Sequence, residues 1–207
     1  MKRRLAGLCL LLYAGFVMAI EEPSYEVIEQ TGNFELRVYP PMIVAETLVA
    51  GSMNAASNAG FRAIAGYIFG GNTSQSGAPE KISMTSPVTM KPASEKIDMT
   101  APVSTQAADG QWRVQFVMPG KYTMETLPTP DNPAVDLREL QEAHYAVLRF
   151  SGLVGERNMQ KKIAELMQWV REKGIRPDGT PELARYDPPW TLPFLRRNEI
   201  MIRYQPE

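Results

Sequence analysis

Apolar and polar positions change their period several times along this chain. Tyr25 to Glu29 and Glu35 to Tyr39 are short β-prone stretches either side of the turn Thr31-Gly32-Asn33. Pro40-Pro41 interrupts, and Met42 to Val49 predicts a further strand. From Ser52 to Phe69 the period becomes helical: Met53, Ala56, Gly60, Ile64, Tyr67 and Ile68 recur on one face. Ser52 can cap the start and Gly70-Gly71 ends the helix. Strands are predicted again at Trp112 to Met118, Ala134 to Leu140 and Tyr145 to Phe150. Glu156 to Lys173 is the clearest helix, with Met159, Ile163, Leu166, Met167 and Val170 as its apolar stripe and Gly174 as its stop. Residues 175–181 read as a loop, followed by strands at Pro181 to Tyr186 and Asn198 to Tyr204 around the corner Asp187-Pro-Pro-Trp190.

After the polar loop at residues 70–80 comes a local repeat. Lys81-Ile-Ser-Met-Thr-Ser-Pro-Val88 recurs as Lys96-Ile-Asp-Met-Thr-Ala-Pro-Val103, with six of eight positions identical. In each copy alternation places Ile, Met and Val on one strand face and Thr on the other. Pro87 and Pro102 cannot donate to a ladder, so each copy is expected to end at a sheet edge or bend. Met84 and Met99, at equivalent positions, are expected to pack in the interior.

The order is thus strand–helix–strand–strand, given twice, over about 40–110 and 134–205. Two helices against many short strands imply an α+β domain whose sheet curves around a shared core. The chain's 207 residues suit one such domain.

The N-terminus follows a different logic. Lys2, Arg3 and Arg4 precede the uncharged apolar run Leu5 to Met18, which Ala19 closes. This is the pattern of a secretory signal peptide over residues 1–19, cut after Ala19, with an exported domain at 20–207. The alternative, an uncleaved membrane anchor, needs roughly 20 apolar residues. Leu8 before Cys9 argues against lipidation. Cleavage removes three of the 22 basic residues and none of the 23 acidic ones, leaving a net charge of −4. That charge offers nothing to nucleic acid. Cleavage also removes Cys9, the one cysteine, so the exported chain has neither thiol nor disulfide.

Catalytic constellations are missing. One histidine, His144, and no mature cysteine leave no zinc site of the Cys/His kinds and no cysteine nucleophile. A serine triad would have to use His144, with no nucleophile elbow nearby. Gly70-Gly71 ends a helix and does not open one, so it cannot cradle phosphate. These points argue against an enzyme of those kinds.

The runs GFRAIAGYIFGGN (Gly60 to Asn72), KISMTSPV, WRVQFVMP (Trp112 to Pro119), LRFSG (Leu148 to Gly152) and ARYDPPW…RRNEI (Ala184 to Ile200) occur in one order across nearly all of the chain after residue 19. In these motifs it resembles the SOUL haem-binding family. The resemblance implies a pseudo-symmetric distorted antiparallel β-barrel flanked by two α-helices, and a bound haem or other tetrapyrrole. It further implies a groove along the first helix, with basic residues near the propionates. Met53, Phe61, Arg62 and Ile64 are the matching residues, three apolar contacts and one cation. His144 lies in the second half and is expected to be a strand-end residue, not an iron ligand. Arg197 and Glu199 are expected to hold the closing strand by pairing with neighbours. The expected protein is an exported monomer that carries, buffers or senses a tetrapyrrole. The alternatives are an enzyme acting on the pigment and a module binding a partner or lipid.

Overall fold

The computed structural model describes residues 20–93 and 110–206. The segment expected to be a signal peptide and the second copy of the repeated motif, Lys96 to Val103 with Met99, lie outside the described residues.

Each helix follows a strand and precedes two more. β1 (Glu26–Thr31), β2 (Phe34–Tyr39) and β3 (Met42–Ala50) lead into α1 (Met53–Ile68). The chain continues through β4 (Asn72–Thr73), β5 (Val88–Pro92), β6 (Gln111–Val117), β7 (Thr129–Pro130), β8 (Asp136–Leu140) and β9 (Ala143–Phe150) to α2 (Glu156–Glu172). β10 (Pro177–Arg185), a 3₁₀ turn (Pro193–Leu195) and β11 (Asn198–Tyr204) complete it. Nine strands make one sheet in the order β1-β2-β9-β11-β10-β5-β6-β3-β8, antiparallel throughout, while β4 and β7 form a separate pair. The order β3-β6-β5 mirrors β9-β11-β10, and the two meet where β5 pairs with β10. The expected barrel is met as an antiparallel sheet in an α+β fold; among the described residues no ladder joins β1 to β8.

Period-two alternation sorts the strands into two faces. Leu36, Ala45, Val114, Phe116, Leu148, Leu183, Ile200 and Ile202 point to the side covered by the helices and form the main core with Met53, Ile64, Ile163 and Leu166. α1 packs on β3 and β6, and α2 on β9, β10 and β11. Gly60 lets α1 approach β6: an added Cβ would lie 2.6 Å from Val114 Cγ2. Leu166 is fully buried in α2. Leu166→Ala should therefore lower the unfolding free energy by about 2–5 kcal/mol, read as a shift of the urea midpoint.

Two local expectations are corrected. Lys81 to Val88 is not a strand ending at Pro87; β5 begins at Val88. The segment's backbone donors go elsewhere, Ile82 N–H to Ile68 O (2.9 Å) and Ser86 N–H to Glu21 O (2.9 Å). The hydroxyl of Thr85 is held by Val117 O. Met84 nevertheless packs against the core, as expected. Residues 177–181 belong to β10 and are not loop. Their register against β11 shifts between Asp178 and Glu182, and Gly179 there has φ +82°, which favours glycine. A bulge of this kind scatters proline and glycine through a strand and disguises it.

Candidate functional site

The other face of the sheet carries most of the chemistry. Its side chains are polar and charged, yet many are buried. Glu199 on β11 is fully buried and receives four hydrogen bonds. Arg37 on β2 donates twice, Nη1 to Oε2 at 2.8 Å and Nη2 to Oε1 at 3.0 Å. Arg197 Nε donates to Oε1 at 3.0 Å and the Tyr186 hydroxyl to Oε2 at 2.8 Å. Arg37, itself without exposure, also donates to Glu35 Oε2 (2.7 Å) and the Tyr39 hydroxyl (2.9 Å). Residues 22–25 strap this cluster. Glu22 and Tyr25 accept from Arg197 at 2.9 and 3.3 Å, and the Tyr25 ring lies 4.2 Å from the Arg37 guanidinium. A second carboxylate, Glu46 on β3, is held by Arg113, by Arg138 Nη2 (2.9 Å) and by Gln115 Nε2 (2.7 Å).

Between the two clusters lies a cavity of about 520 Å³. Its apolar lining includes Tyr39, Met42, Val44, Tyr145 and Met201. Tyr39 and Tyr145 meet edge to face with ring centroids 5.5 Å apart. Lys91, Arg113, Arg138 and Arg203 supply cations around it. Glu182 is its buried carboxylate, 3.8 Å from Lys91 Nζ and hydrogen-bonded by Tyr145. Arg203 is exposed and in no ion pair among the described residues.

Burial sets the protonation of this face. It would push the Glu199 carboxyl up, but Arg37, Arg197 and Tyr186 together hold it below the usual carboxylate range. Burial pushes Tyr39 up to about 12, against the pull of Arg37. It also pushes Tyr145 upward, helped by Glu182. A depressed carboxylate contributes stability that is present above its unfolded pKa, about 4.3, and lost as pH falls through the lower folded value. A raised phenol contributes stability present below its unfolded value of 10 and lost as pH rises toward about 12. The urea midpoint should accordingly be flat near neutrality, fall below about pH 4, and fall again above about pH 10. A midpoint that held steady into either region would contradict these linkages.

The four residues expected along α1 do not share one surface. Met53 and Ile64 are fully buried in the main core. Phe61 is 40% exposed, with its ring 5.4 Å from that of buried Phe116, and Arg62 is exposed beside it. His144 is the second residue of β9, near the strand end as expected, on the helix side of the sheet and away from the cavity. Its ring edge meets Tyr204 at 5.5 Å, and its buried Nδ1 has no hydrogen-bond partner among the described residues. Glu199 pairs with Arg37 on β2, the cross-strand pairing expected of it, while Arg197 pairs with Glu199 itself and with Glu22. Their partners Arg37, Glu35 and Tyr39, and the Glu46 cluster, went unread in the sequence. The run Phe34 to Tyr39 alternates charge and apolarity, and charge on a strand ordinarily signals a solvated face. Among the described residues no group of three or more His, Cys, Asp or Glu side chains could hold a metal ion.

A two-helix antiparallel sheet with a cavity on its helix-free face is an α+β fold suited to holding a small molecule. The family model for SOUL heme-binding protein matches residues 20–203, and the chain belongs to that family. A search of curated proteins finds no match. Among solved structures, the C-terminal domain of EcmrR aligns over 88% of this chain and 99% of its own, with a TM-score of 0.59 at 13% identity. A hydrolase from Listeria innocua aligns over 86% of this chain and 94% of its own, with a TM-score of 0.54 at 15% identity. At such identities these likenesses concern the fold.

Proposed function

We propose that this chain is an exported, non-catalytic tetrapyrrole-binding protein, a carrier, buffer or sensor of haem or a related porphyrin. Membership of the SOUL family supports a tetrapyrrole ligand. The observation that carries the site is the sheet-face cavity. Its volume falls within the range of about 300–1,000 Å³ usual for ligand sites. A tetrapyrrole is a large apolar plate with two carboxylates at one edge. Tyr39, Tyr145, Met42 and Met201 supply apolar contact; Arg203 is a cation free to turn toward propionates, and Lys91 is a second that would do so on leaving Glu182. Arg113 and Arg138 are already engaged by Glu46.

A second seat, the outer surface of α1, is favoured by the exposed pair Phe61 and Arg62. Titration with haemin, followed by Soret absorption and tryptophan quenching, should show saturable binding of one porphyrin per chain. A Soret band unchanged from free haemin would refute the proposal. The signal-like pattern of residues 1–19 supports export, and the chain recovered from its native host should begin at Ile20 by mass spectrometry. Recovery of intact Met1 in a cytoplasmic fraction would overturn that part.

A further inference from the structure

Remote from the cavity, the corner between β10 and β11 presents large apolar side chains to solvent. Trp190 is 81% exposed, Phe194 70%, Leu195 63% and Leu192 55%, and Leu153 beside them is 64% exposed. They form one neighbourhood, because Gly152 N–H donates to Pro193 O at 2.9 Å. Isolated exposed apolar residues are ordinary, whereas five together mark a contact surface.

The corner is also held in shape by hydrogen bonds within itself. Thr191, Leu195 and Arg196 N–H groups donate to Pro188, Leu192 and Pro193 carbonyls at 3.0, 2.9 and 3.2 Å. Arg196 folds its guanidinium back, Nε to Thr191 O at 2.8 Å and Nη2 to Pro189 O. Pro188, Pro189 and Pro193 have no N–H to satisfy. These bonds fix the corner's shape, so its apolar side chains are presented together.

Two unpaired cations flank the corner. Arg157 and Lys161, in the first turns of α2, are exposed and in no ion pair among the described residues. They adjoin Leu153, whose carbonyl accepts from Asn158 Nδ2 at 2.8 Å. Two acids nearby each accept from a backbone N–H. Asp187 accepts from Arg197 N–H at 2.6 Å and Glu156 from Met53 N–H at 3.4 Å.

We infer that this corner docks the protein on an anionic phospholipid surface, with Trp190 and Phe194 entering the headgroup–acyl boundary and Arg157 and Lys161 over the headgroups. The inference does not depend on the tetrapyrrole reading. The test uses the chain from Ile20 onward, which holds the whole sheet and both helices. Its partitioning is measured by co-sedimentation with phosphatidylcholine vesicles, with and without phosphatidylglycerol. Binding should be strong only with phosphatidylglycerol, weaken with salt, and shift tryptophan emission to the blue, since Trp112 and Trp169 are already buried. Trp190→Ser should weaken partitioning about tenfold or more, and Phe194→Ser similarly. Arg157→Glu with Lys161→Glu should abolish the preference for phosphatidylglycerol. Because these side chains are exposed, unaltered urea midpoints should accompany each loss. The inference is overturned if the chain ignores both vesicles or the variants sediment like the parent. It is equally overturned if sedimentation velocity shows the corner mediating self-association that Trp190→Ser abolishes.

Discussion

Arg37→Met should lower the unfolding free energy by about 3–5 kcal/mol. Arg37 is buried without exposure and makes two of the four hydrogen bonds to the equally buried Glu199. Methionine keeps the apolar stem and removes the charge. Glu199 then keeps only Arg197 and Tyr186, and Glu35 loses its 2.7 Å donor. Two carboxylates are left in a buried setting with too few partners, which is far costlier than losing a surface ion pair. The double variant Arg37→Met/Glu199→Gln should recover part of the loss, since the orphaned charge disappears with its partner. The check is urea unfolding of the parent and the three variants as a cycle. Arg37→Met within about 1 kcal/mol of the parent would show the cluster to behave as a solvated pair.

In the second prediction, Lys91→Ala/Arg203→Ala should weaken porphyrin binding by about a hundredfold or more. Each charge-assisted hydrogen bond to a propionate is worth roughly 1.5–3 kcal/mol, which is about tenfold to hundredfold per cation. Lys91 already lies near Glu182, so its loss should cost less than that of Arg203. Arg62→Ala should leave affinity nearly unchanged if the cavity is the seat. The reverse result, with Arg62→Ala weak and the cavity pair unaltered, would move the ligand to the outer surface of α1. Stability should move little in either case, because all three side chains keep contact with water.

Much of the fold is legible in the sequence because its main core obeys simple periods. The stripe Met159, Ile163, Leu166 and Val170 gives α2, and Met53, Gly60 and Ile64 give α1. The helical stripe of α1 also explains the difficulty with its candidate site. Spacing identifies Met53 and Ile64 as apolar without saying whether they face a ligand or the sheet, and they face the sheet. The helix-free face is harder to read. Glu35, Arg37, Glu46, Arg113 and Glu182 alternate with core residues as solvent-facing charges would. Their burial follows from partners brought from distant strands: Arg37 and Glu199 are 162 positions apart and Glu46 and Arg138 are 92 apart. No local pattern encodes such pairs. The RRNE motif gave the one signal, since two arginines beside a glutamate on a predicted strand suggest pairing. The cavity emerges only once β5 and β10 are joined.

In the proposed function the chain binds a tetrapyrrole by apolar contact and propionate pairing, with little help from the metal. His144, the one histidine, lies on the far side of the sheet from the cavity. The most direct measurement is a paired titration of the protein with haemin and with metal-free protoporphyrin, repeated on His144→Ala. The two pigments should bind with similar affinities, and His144→Ala should leave the haemin Soret band in place. Haemin bound far more tightly than protoporphyrin, with its Soret shift abolished in His144→Ala, would contradict it.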